Sequence, residues 1–240
     1  KYFENNTYNA IKLFNIFKKN GLNKIVFSST AAAYGSVSDN KLIDENTNLN
    51  PQNPYAESKI RTEKFLFDNQ DSFKFIILRY FNVAGADKKL RTGQISKRST
   101  HLIKILSEVV AGNRNFIEIF GNDYNTHDGT AIRDYIHVSD LADIHVEVAK
   151  YLLEKLESNL FNCGYGKGFS VLDVVNTANK IYQNKIVYKF SSRRNGDVEK
   201  LIANTSKILK YIDWKPKHND LEEIINSSVK WEKKINASDT

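Results

Sequence analysis

The chain of 240 residues is long enough for one large domain or for one domain with a smaller partner. Its composition, 41% hydrophobic and 12% aromatic, is typical of a globular protein, and no apolar run approaches the ~20 residues of a transmembrane helix. The formal charge of +7 comes from 35 lysines and arginines that are scattered among acids and form no basic stripe. We therefore predict neither a membrane span nor a nucleic-acid partner.

The numbers of cysteines and histidines bear on disulfide formation and on metal binding. Cys163 is the single cysteine, so no internal disulfide can form, and the start of the chain shows no secretory leader pattern. Both observations predict a cytoplasmic protein. The five histidines are scattered without the spacing of zinc ligands, and we predict no metal site.

The first elements are predicted to be a helix and a buried strand. Apolar residues recur at helical spacing from Tyr8 to Phe17, and Gly21 ends this run as a C-cap. Residues 24–27 form a short, mostly apolar run, as in a parallel strand that is buried on both faces. The small residues 28–35 follow at the carboxyl end of this strand, where open α/β sheets bind ligands.

The next segment predicts a helix that carries a reactive pair. Asn53 is a favoured N-cap and Pro54 has a preset φ, so the helix begins here and continues to about Asn69. Tyr55 and Lys59 are four residues apart and therefore share one face of the helix. We expect the lysine ammonium and the positive helix N-terminus to lower the pKa of the tyrosine, which would make it a usable acid and base.

The order of the elements predicts an α/β fold. Residues 75–81 form a second buried strand, and the alternation of helix and strand implies a doubly wound parallel sheet with right-handed crossovers. After residue 86 the elements are shorter and mixed, which predicts a smaller α+β lobe that interdigitates with the sheet. There we predict helices at 101–111, 139–157 with N-cap Ser139, 170–181 with N-cap Ser170, and 220–234, and strands at 116–120, 160–163 and 186–190.

Six segments together carry a resemblance to a known family: FSSTAAAYG (27–35), PYAESK (54–59), LRYFNVAG (78–85), IFGNDY (119–124), GTAIRDYIHV (129–138) and RRNGD (193–197). In this order, and over essentially the whole chain, they resemble the extended short-chain dehydrogenase/reductase family and, within it, the UDP-glucose (UDP-galactose) 4-epimerases. The resemblance implies that residues 1–86 are the C-terminal portion of a Rossmann-like NAD-binding domain. Residues 87–240 would then be mainly a nucleotide-sugar-binding lobe.

The activity that the resemblance implies is an isomerisation in galactose metabolism. Such an enzyme interconverts UDP-galactose and UDP-glucose while bound NAD transiently oxidises C4 of the hexose. Tyr55 would take the proton of the sugar 4-hydroxyl, Lys59 would tune Tyr55 and bind the nicotinamide ribose, and Thr30 would hydrogen-bond the reacting hydroxyl. Asn6 and Phe81 match positions that contact the cofactor.

The resemblance also implies a set of residues that bind the nucleotide sugar: Thr30, Asn82, His101, Leu102, Phe120, Arg133, Arg194 and Asp197. The two separated arginines suit a diphosphate, since guanidinium groups bind phosphate oxygens in forks, and Asp197 suits ribose hydroxyls. Arg133 could instead form an ion pair with Asp134 or another acid. Leu201 matches the position where the family's pocket tolerates or rejects an N-acetyl group at C2. His137 lies between apolar residues and is predicted to be a core histidine.

One feature of the family is missing from its expected place. No glycine-rich phosphate loop follows a first strand, and the glycines at 164–168 come far too late for that role. We expect the loop to precede Lys1, and we expect the 240 residues alone to lack epimerase activity and to bind NAD poorly. A 4,6-dehydratase is disfavoured, because Ala31 and Ala32 stand where such an enzyme would place an acid pair. The alternatives are an epimerase for N-acetylhexosamine, glucuronate or pentose nucleotides, or a non-catalytic remnant.

The resemblance finally implies a homodimer, in which the helices at 8–17 and 55–69 of both subunits form a four-helix bundle. Ile11, Phe14 and Phe17 give the first helix a wide apolar stripe. Burial of this stripe against the protein's own sheet is the alternative.

Overall fold

The computed structural model describes residues 1–36, 41–96, 99–183 and 186–238. A π-helical segment, Phe3–Tyr8, leads into the helices, which are α1 (Asn9–Lys19), α2 (Pro54–Asp68), α3 (Leu102–Val110), α4 (Val138–Lys155), α5 (Val171–Tyr182), α6 (Ser206–Tyr211) and α7 (Leu221–Ser238). The strands are β1 (Lys24–Thr30), β2 (Lys74–Tyr80), β3 (Asn82–Ala84), β4 (Ile117–Phe120), β5 (Ile132–His137), β6 (Asn159–Cys163), β7 (Gly168–Ser170), β8 (Tyr188–Ser191) and β9 (Lys200–Leu201). In this part of the chain no helix is both long enough and apolar enough to cross a membrane.

A parallel sheet in the order β1-β2-β6 carries the site. Because successive side chains of a strand face opposite sides, Phe75 packs with Phe14 of α1 and Leu66 of α2, whereas Ile76 packs with Ile144 of α4. Both faces of β2 are thus covered by helices, which explains its nearly continuous apolar sequence. This is the α/β arrangement that the sequence predicts.

A second group of strands builds the lobe beside this sheet. β5 pairs in parallel with β3 and β9 and antiparallel with β7, while β4 and β8 form a separate parallel pair. The helices α3, α5 and α7 share one core around Leu106, Val175 and Ile225. The strand β6 belongs to the first sheet although it follows the lobe's first elements in the chain.

Most predicted helices and strands are confirmed to within a few residues, but the start of α4 is different. The N-cap is His137 and not Ser139, because Nδ1 of the histidine accepts a hydrogen bond from the Ser139 backbone N–H at 3.0 Å. His137 is nevertheless a core residue, 2% exposed, as the sequence predicts. The strand β5 and the helix α6 were not predicted. The sequence of β5 contains arginine, aspartate and histidine, and it therefore lacks the apolar pattern of a typical strand.

Candidate active site

Thr30 and Tyr55 lie together at the carboxyl edge of the parallel sheet. Thr30 is the last residue of β1, and its hydroxyl oxygen accepts a hydrogen bond from the backbone N–H of Ala32 at 3.2 Å, which starts a 3-10 turn. The Asn53 side chain caps α2 by accepting from the Ala56 N–H at 2.9 Å, and this cap fixes Tyr55 in the first turn. The Thr30 side chain lies close enough to the Tyr55 phenol to act on its pKa, which it lowers. The predicted helix start therefore places the phenol beside the threonine.

Lys59 lies one turn further along α2 and is anchored to the first strand. Its ammonium donates a hydrogen bond to the Ser28 carbonyl oxygen at 3.0 Å and lies 6.0 Å from the centroid of the Tyr55 ring. Burial lowers the pKa of Lys59, an effect that the nearby Glu63 carboxylate opposes. Burial also raises the pKa of Tyr55, although the Thr30 side chain acts in the other direction. Our expectation of a lowered tyrosine pKa is therefore wrong for this structure, because the loss of water on burial is the largest influence on it.

A buried polar network joins α2 to the strands of the parallel sheet. Arg79 of β2 forms an ion pair with Glu63 of α2, and its Nε donates to Oε1 at 3.0 Å, with 4% and 3% of the two side chains exposed. The Ser29 hydroxyl also donates to Glu63. On the other side, Arg79 donates to the Tyr34 hydroxyl at 3.0 Å, and Tyr34 donates to Asn162 of β6 at 2.7 Å. The strands β1, β2 and β6 and the helix α2 are thereby held in one arrangement.

Sequence analysis missed this network, yet one signal was available. Ser29 and Arg79 each precede a residue that lines the site, and neighbouring residues of a strand point to opposite faces. Glu63 is one turn beyond Lys59 on the same helix face. Arg79 interrupts the apolar run of β2, and a charge at such a position indicates a buried partner. Burial raises the pKa of Tyr34 to about 12, so its phenol stays neutral and remains a donor.

A cavity of about 400 Å³ opens in front of Tyr55. Seven predicted site residues line it, namely Thr30, Tyr55, Phe81, Asn82, His101, Leu102 and Leu201. The far wall comes from α3 and α7, where Lys104 and Glu232 form a buried ion pair and the Trp231 indole N–H donates to the Gln94 carbonyl at 3.1 Å. The volume lies within the ~300–1,000 Å³ that is usual for small-molecule sites.

The other four predicted substrate residues do not line the cavity as the described residues form it, and they make a second cluster. This cluster consists of Phe120, Arg133, Arg194 and Asp197. Arg133 forms an ion pair with Asp197 at 3.3 Å, and the Arg194 guanidinium lies 3.6 Å from the centroid of the Phe120 ring. The two clusters are neighbours, since Leu201 of the cavity wall pairs with Arg133 in the register of β5 and β9. A ligand can therefore extend from one cluster to the other.

Arg133 has the alternative role of an ion-pair partner, but with a different acid. Asp134 accepts hydrogen bonds from the backbone N–H groups of Tyr165, Gly166 and Ala203, at 2.9 to 3.2 Å, and these bonds hold it inside the lobe. Burial raises its pKa to about 6. The arginine instead meets Asp197, which the sequence assigned to the same ligand.

Comparison with known proteins decides the family. Residues 1–164 match the model of the NAD dependent epimerase/dehydratase family. The chain belongs to this family. It is 44% identical over 239 residues to the UDP-glucose 4-epimerase of Azospirillum brasilense, with 99% of this chain and 68% of the relative covered. It is also 44% identical over 233 residues to the UDP-glucose 4-epimerase of Streptococcus mutans, with 96% and 70% covered.

Solved structures agree with this assignment. The UDP-Glc/GlcNAc 4-epimerase of Campylobacter jejuni shares 45% identity and a TM-score of 0.81, covering 98% of this chain and 71% of that one. The UDP-glucose 4-epimerase of Bifidobacterium longum, solved with NAD+ and UDP, shares 34% identity and a TM-score of 0.90, covering 97% and 70%. The family membership makes the protein an NAD-dependent enzyme, as predicted.

The residues around α2 fit the nicotinamide ribose of this epimerase family's cofactor. Lys59 uses one of its three N–H groups on Ser28, which leaves two donors for ribose hydroxyls. Asn6 donates from its side-chain amide to the Ser58 hydroxyl at 3.1 Å and so faces α2, and Phe81 is 5% exposed in the cavity wall. In the ranges that the structure describes, the glycine-rich loop 164–168 follows β6 but leads into β7, so it does not open a helix whose N-terminus could take the pyrophosphate.

Metal-compatible side chains meet once among the described residues. The ligand atoms of His127, Asp128 and Asp173 lie within 4.8 Å of one another. Asp128 already accepts hydrogen bonds from Thr130 and Ser170, and the histidine is exposed. Nothing further points to an ion at this place, and the absence of a metal site stays a prediction.

Proposed function

We propose that the protein interconverts UDP-galactose and UDP-glucose as an NAD-dependent 4-epimerase. The observation that carries this proposal is the placement of Thr30 and Tyr55 side by side in the wall of the cavity, with Lys59 one turn away on α2. Curated relatives at 44% identity bear the name of this activity, which supports the same reading.

Tyr55 acts as the acid and base in this proposal. Burial raises the pKa of Tyr55, so the phenol is protonated in the ligand-free protein and has to release its proton to solvent before it can act as the base. Bound NAD would supply the reversible hydride acceptor for C4. The Tyr55 phenolate takes the proton of the sugar 4-hydroxyl as C4 is oxidised and returns it when C4 is reduced, and the Lys59 ammonium, 6.0 Å from the Tyr55 ring centroid, stabilises the phenolate. Thr30 is oriented by the Ala32 N–H and keeps its own proton free to bind the reacting oxygen.

The second cluster would bind the nucleotide. Arg133 and Arg194 supply guanidinium groups for the diphosphate, and Asp197 supplies a carboxylate for ribose hydroxyls. Asn82, His101 and Leu102 lie at the cavity wall, where they would contact the sugar and its phosphate. Phe120, already stacked with Arg194, offers an aromatic face to the base. The register between β5 and β9, which places Arg133 beside Leu201 of the cavity wall, supports this division of roles.

A second candidate substrate is a UDP-N-acetylhexosamine. Leu201 lies 8% exposed in the cavity wall, where a medium-sized side chain leaves more room than a tyrosine would. The relative from Campylobacter jejuni is named for both UDP-Glc and UDP-GlcNAc. An assay with UDP-GlcNAc beside UDP-glucose distinguishes a broad from a narrow pocket.

The remaining expectations are proposals with less support. We infer a homodimer, but through different residues, because Phe14 and Phe17 pack in the protein's own core while Tyr8, Leu13 and Ile16 are exposed. The division into residues 1–86 and 87–240, the cytoplasmic location and the absence of a nucleic-acid partner stay predictions.

The experiment uses the protein expressed from its complete coding sequence. UDP-galactose and UDP-glucose are incubated separately, and the products are separated by chromatography. We expect each sugar nucleotide to yield the same mixture, with no net reduction of NAD in the absorbance spectrum. If neither substrate is converted, the epimerase proposal is wrong.

A further inference from the structure

Tyr124 has a buried hydroxyl that the known roles of the site do not use. It follows β4 in the segment IFGNDY and is 4% exposed, and among the described residues its hydroxyl has no hydrogen-bond partner. A buried polar group is nearly always hydrogen-bonded, so such an exception needs an explanation. Phenylalanine would fill the same space without leaving a hydroxyl unpaired.

The ring of Tyr124 is fixed in place on several sides. The Arg193 guanidinium lies 4.0 Å from its centroid, and the Tyr124 backbone N–H donates to the Gly129 carbonyl at 3.0 Å. A Cβ atom at Gly121, where φ is +83°, would approach the ring to 2.5 Å. The hydroxyl therefore cannot gain a partner by turning the ring outward, and a partner has to approach it.

Two of the charged groups around this hydroxyl belong to the second cluster, which consists of Phe120, Arg133, Arg194 and Asp197 and which we call the nucleotide cluster. After burial, the Asp197 carboxylate and then the Arg133 guanidinium have the largest influence on the pKa of Tyr124, which is raised. These two side chains form the 3.3 Å ion pair with each other, with 12% of the arginine and 34% of the aspartate exposed. The raised pKa means that the phenol keeps its proton and can only gain by donating it to an acceptor.

We propose that Tyr124 is a positioning residue that holds Asp197 when a nucleoside diphosphate is bound. The diphosphate oxygens compete with Asp197 for the Arg133 guanidinium, and the freed carboxylate then accepts the hydrogen bond of the Tyr124 hydroxyl. Asp197 is thereby held for the ribose hydroxyls, and the energy lost by burying an unpaired hydroxyl is recovered only in the bound state. This inference rests on the proposed function and adds a residue to its nucleotide site.

The test compares Tyr124→Phe with the unmodified protein, both expressed from the complete coding sequence, with UDP as the probe. Without UDP, we expect the variant to melt at the same or a higher temperature, since it loses an unpaired hydroxyl. In calorimetric titration, we expect UDP to bind about tenfold more weakly, as for the loss of one hydrogen bond to a charged group. A binding role predicts weaker UDP binding without a loss of melting temperature, whereas a structural role predicts a lower melting temperature.

Tyr182→Phe serves as the matched control. The Tyr182 hydroxyl on α5 donates a hydrogen bond to the Asn226 side chain on α7 at 2.7 Å, and neither residue belongs to the nucleotide cluster. Loss of this hydroxyl should lower the melting temperature and leave UDP binding unchanged. A double-mutant cycle with Asp197→Ala tests the mechanism. If Tyr124 acts through Asp197, adding Tyr124→Phe to Asp197→Ala should weaken UDP binding by less than twofold.

The outcomes also separate the two proposals. If the Tyr124→Phe variant binds UDP as tightly as the unmodified protein, the role proposed for Tyr124 is wrong. The same holds if the substitution weakens UDP binding equally with and without the Asp197 side chain. In both cases the epimerase proposal still stands. If the unmodified protein does not bind UDP at all, the nucleotide site and the proposed function are both wrong.

Discussion

The two halves of the site hold their charges in different ways. Behind the catalytic helix, Glu63 and Arg79 are almost completely buried, and their network continues to Ser29, Tyr34 and Asn162. In the nucleotide cluster, Arg133 and Asp197 are partly exposed and form a longer contact of 3.3 Å. The first arrangement fixes a backbone, whereas we propose that the second is exchanged for contacts with a ligand. Ion pairs in one protein can thus serve positioning in one place and binding in another.

The largest expected effect comes from breaking the buried pair. Glu63→Gln leaves the Arg79 guanidinium without its counter-charge in a buried site, which should lower the free energy of unfolding by about 3–5 kcal/mol. Asp197→Asn is the matched control in the exposed pair and should change it by less than about 1 kcal/mol. Urea denaturation measures both. Equal losses for the two variants would remove the distinction between the two halves.

A change on the catalytic side that leaves the network intact should act on the reaction alone. Tyr55→Phe keeps the ring but removes the hydroxyl that lies beside Thr30, so kcat should fall by on the order of 100-fold or more. UDP affinity and the urea midpoint should remain close to those of the unmodified protein. A variant with nearly normal kcat would place the acid and base elsewhere.

Asp134 differs from both ion pairs, because it is a buried carboxylate that has no cationic partner among the described residues. Burial raises its pKa in the folded protein to about 6, above the value near 4 in an unfolded chain. The folded state therefore retains a proton that the unfolded state has released, and stability should fall as pH rises from about 4 to about 6, by roughly 2 kcal/mol. Asp134→Asn should flatten this part of the stability curve, as measured by urea midpoints at several pH values. An unchanged slope would mean that Asp134 is ionised throughout.

The smallest expected effect concerns the cavity wall between the two clusters. Leu201→Tyr enlarges a side chain that lines the cavity, so activity on UDP-GlcNAc should fall relative to activity on UDP-glucose, by about tenfold. The ratio of kcat/KM values for the two substrates measures this. If the ratio stays constant, Leu201 does not determine substrate breadth.

The sequence predicted those parts of the site that depend on local order. Tyr55 and Lys59 follow from the helix cap and their spacing, and Thr30 from its place after a buried strand. The contact of Glu63 with Arg79 was not predicted, because it joins different elements through a fold that local patterns do not specify. The direction of the Tyr55 pKa was predicted wrongly for a related reason, since the charges can be read from the chain but the loss of water cannot.

The far wall of the cavity has a consequence for synthesis of the protein. Thr30 and Trp231 face the same cavity although they are about 200 residues apart in the chain. A ribosome needs roughly 10 to 40 s to add that many residues at its usual rate. During this time β1 and α2 have emerged, but the wall that α7 supplies does not yet exist. The growing chain therefore cannot enclose a sugar nucleotide, and ligand binding can stabilise this part of the protein only after translation has passed α7.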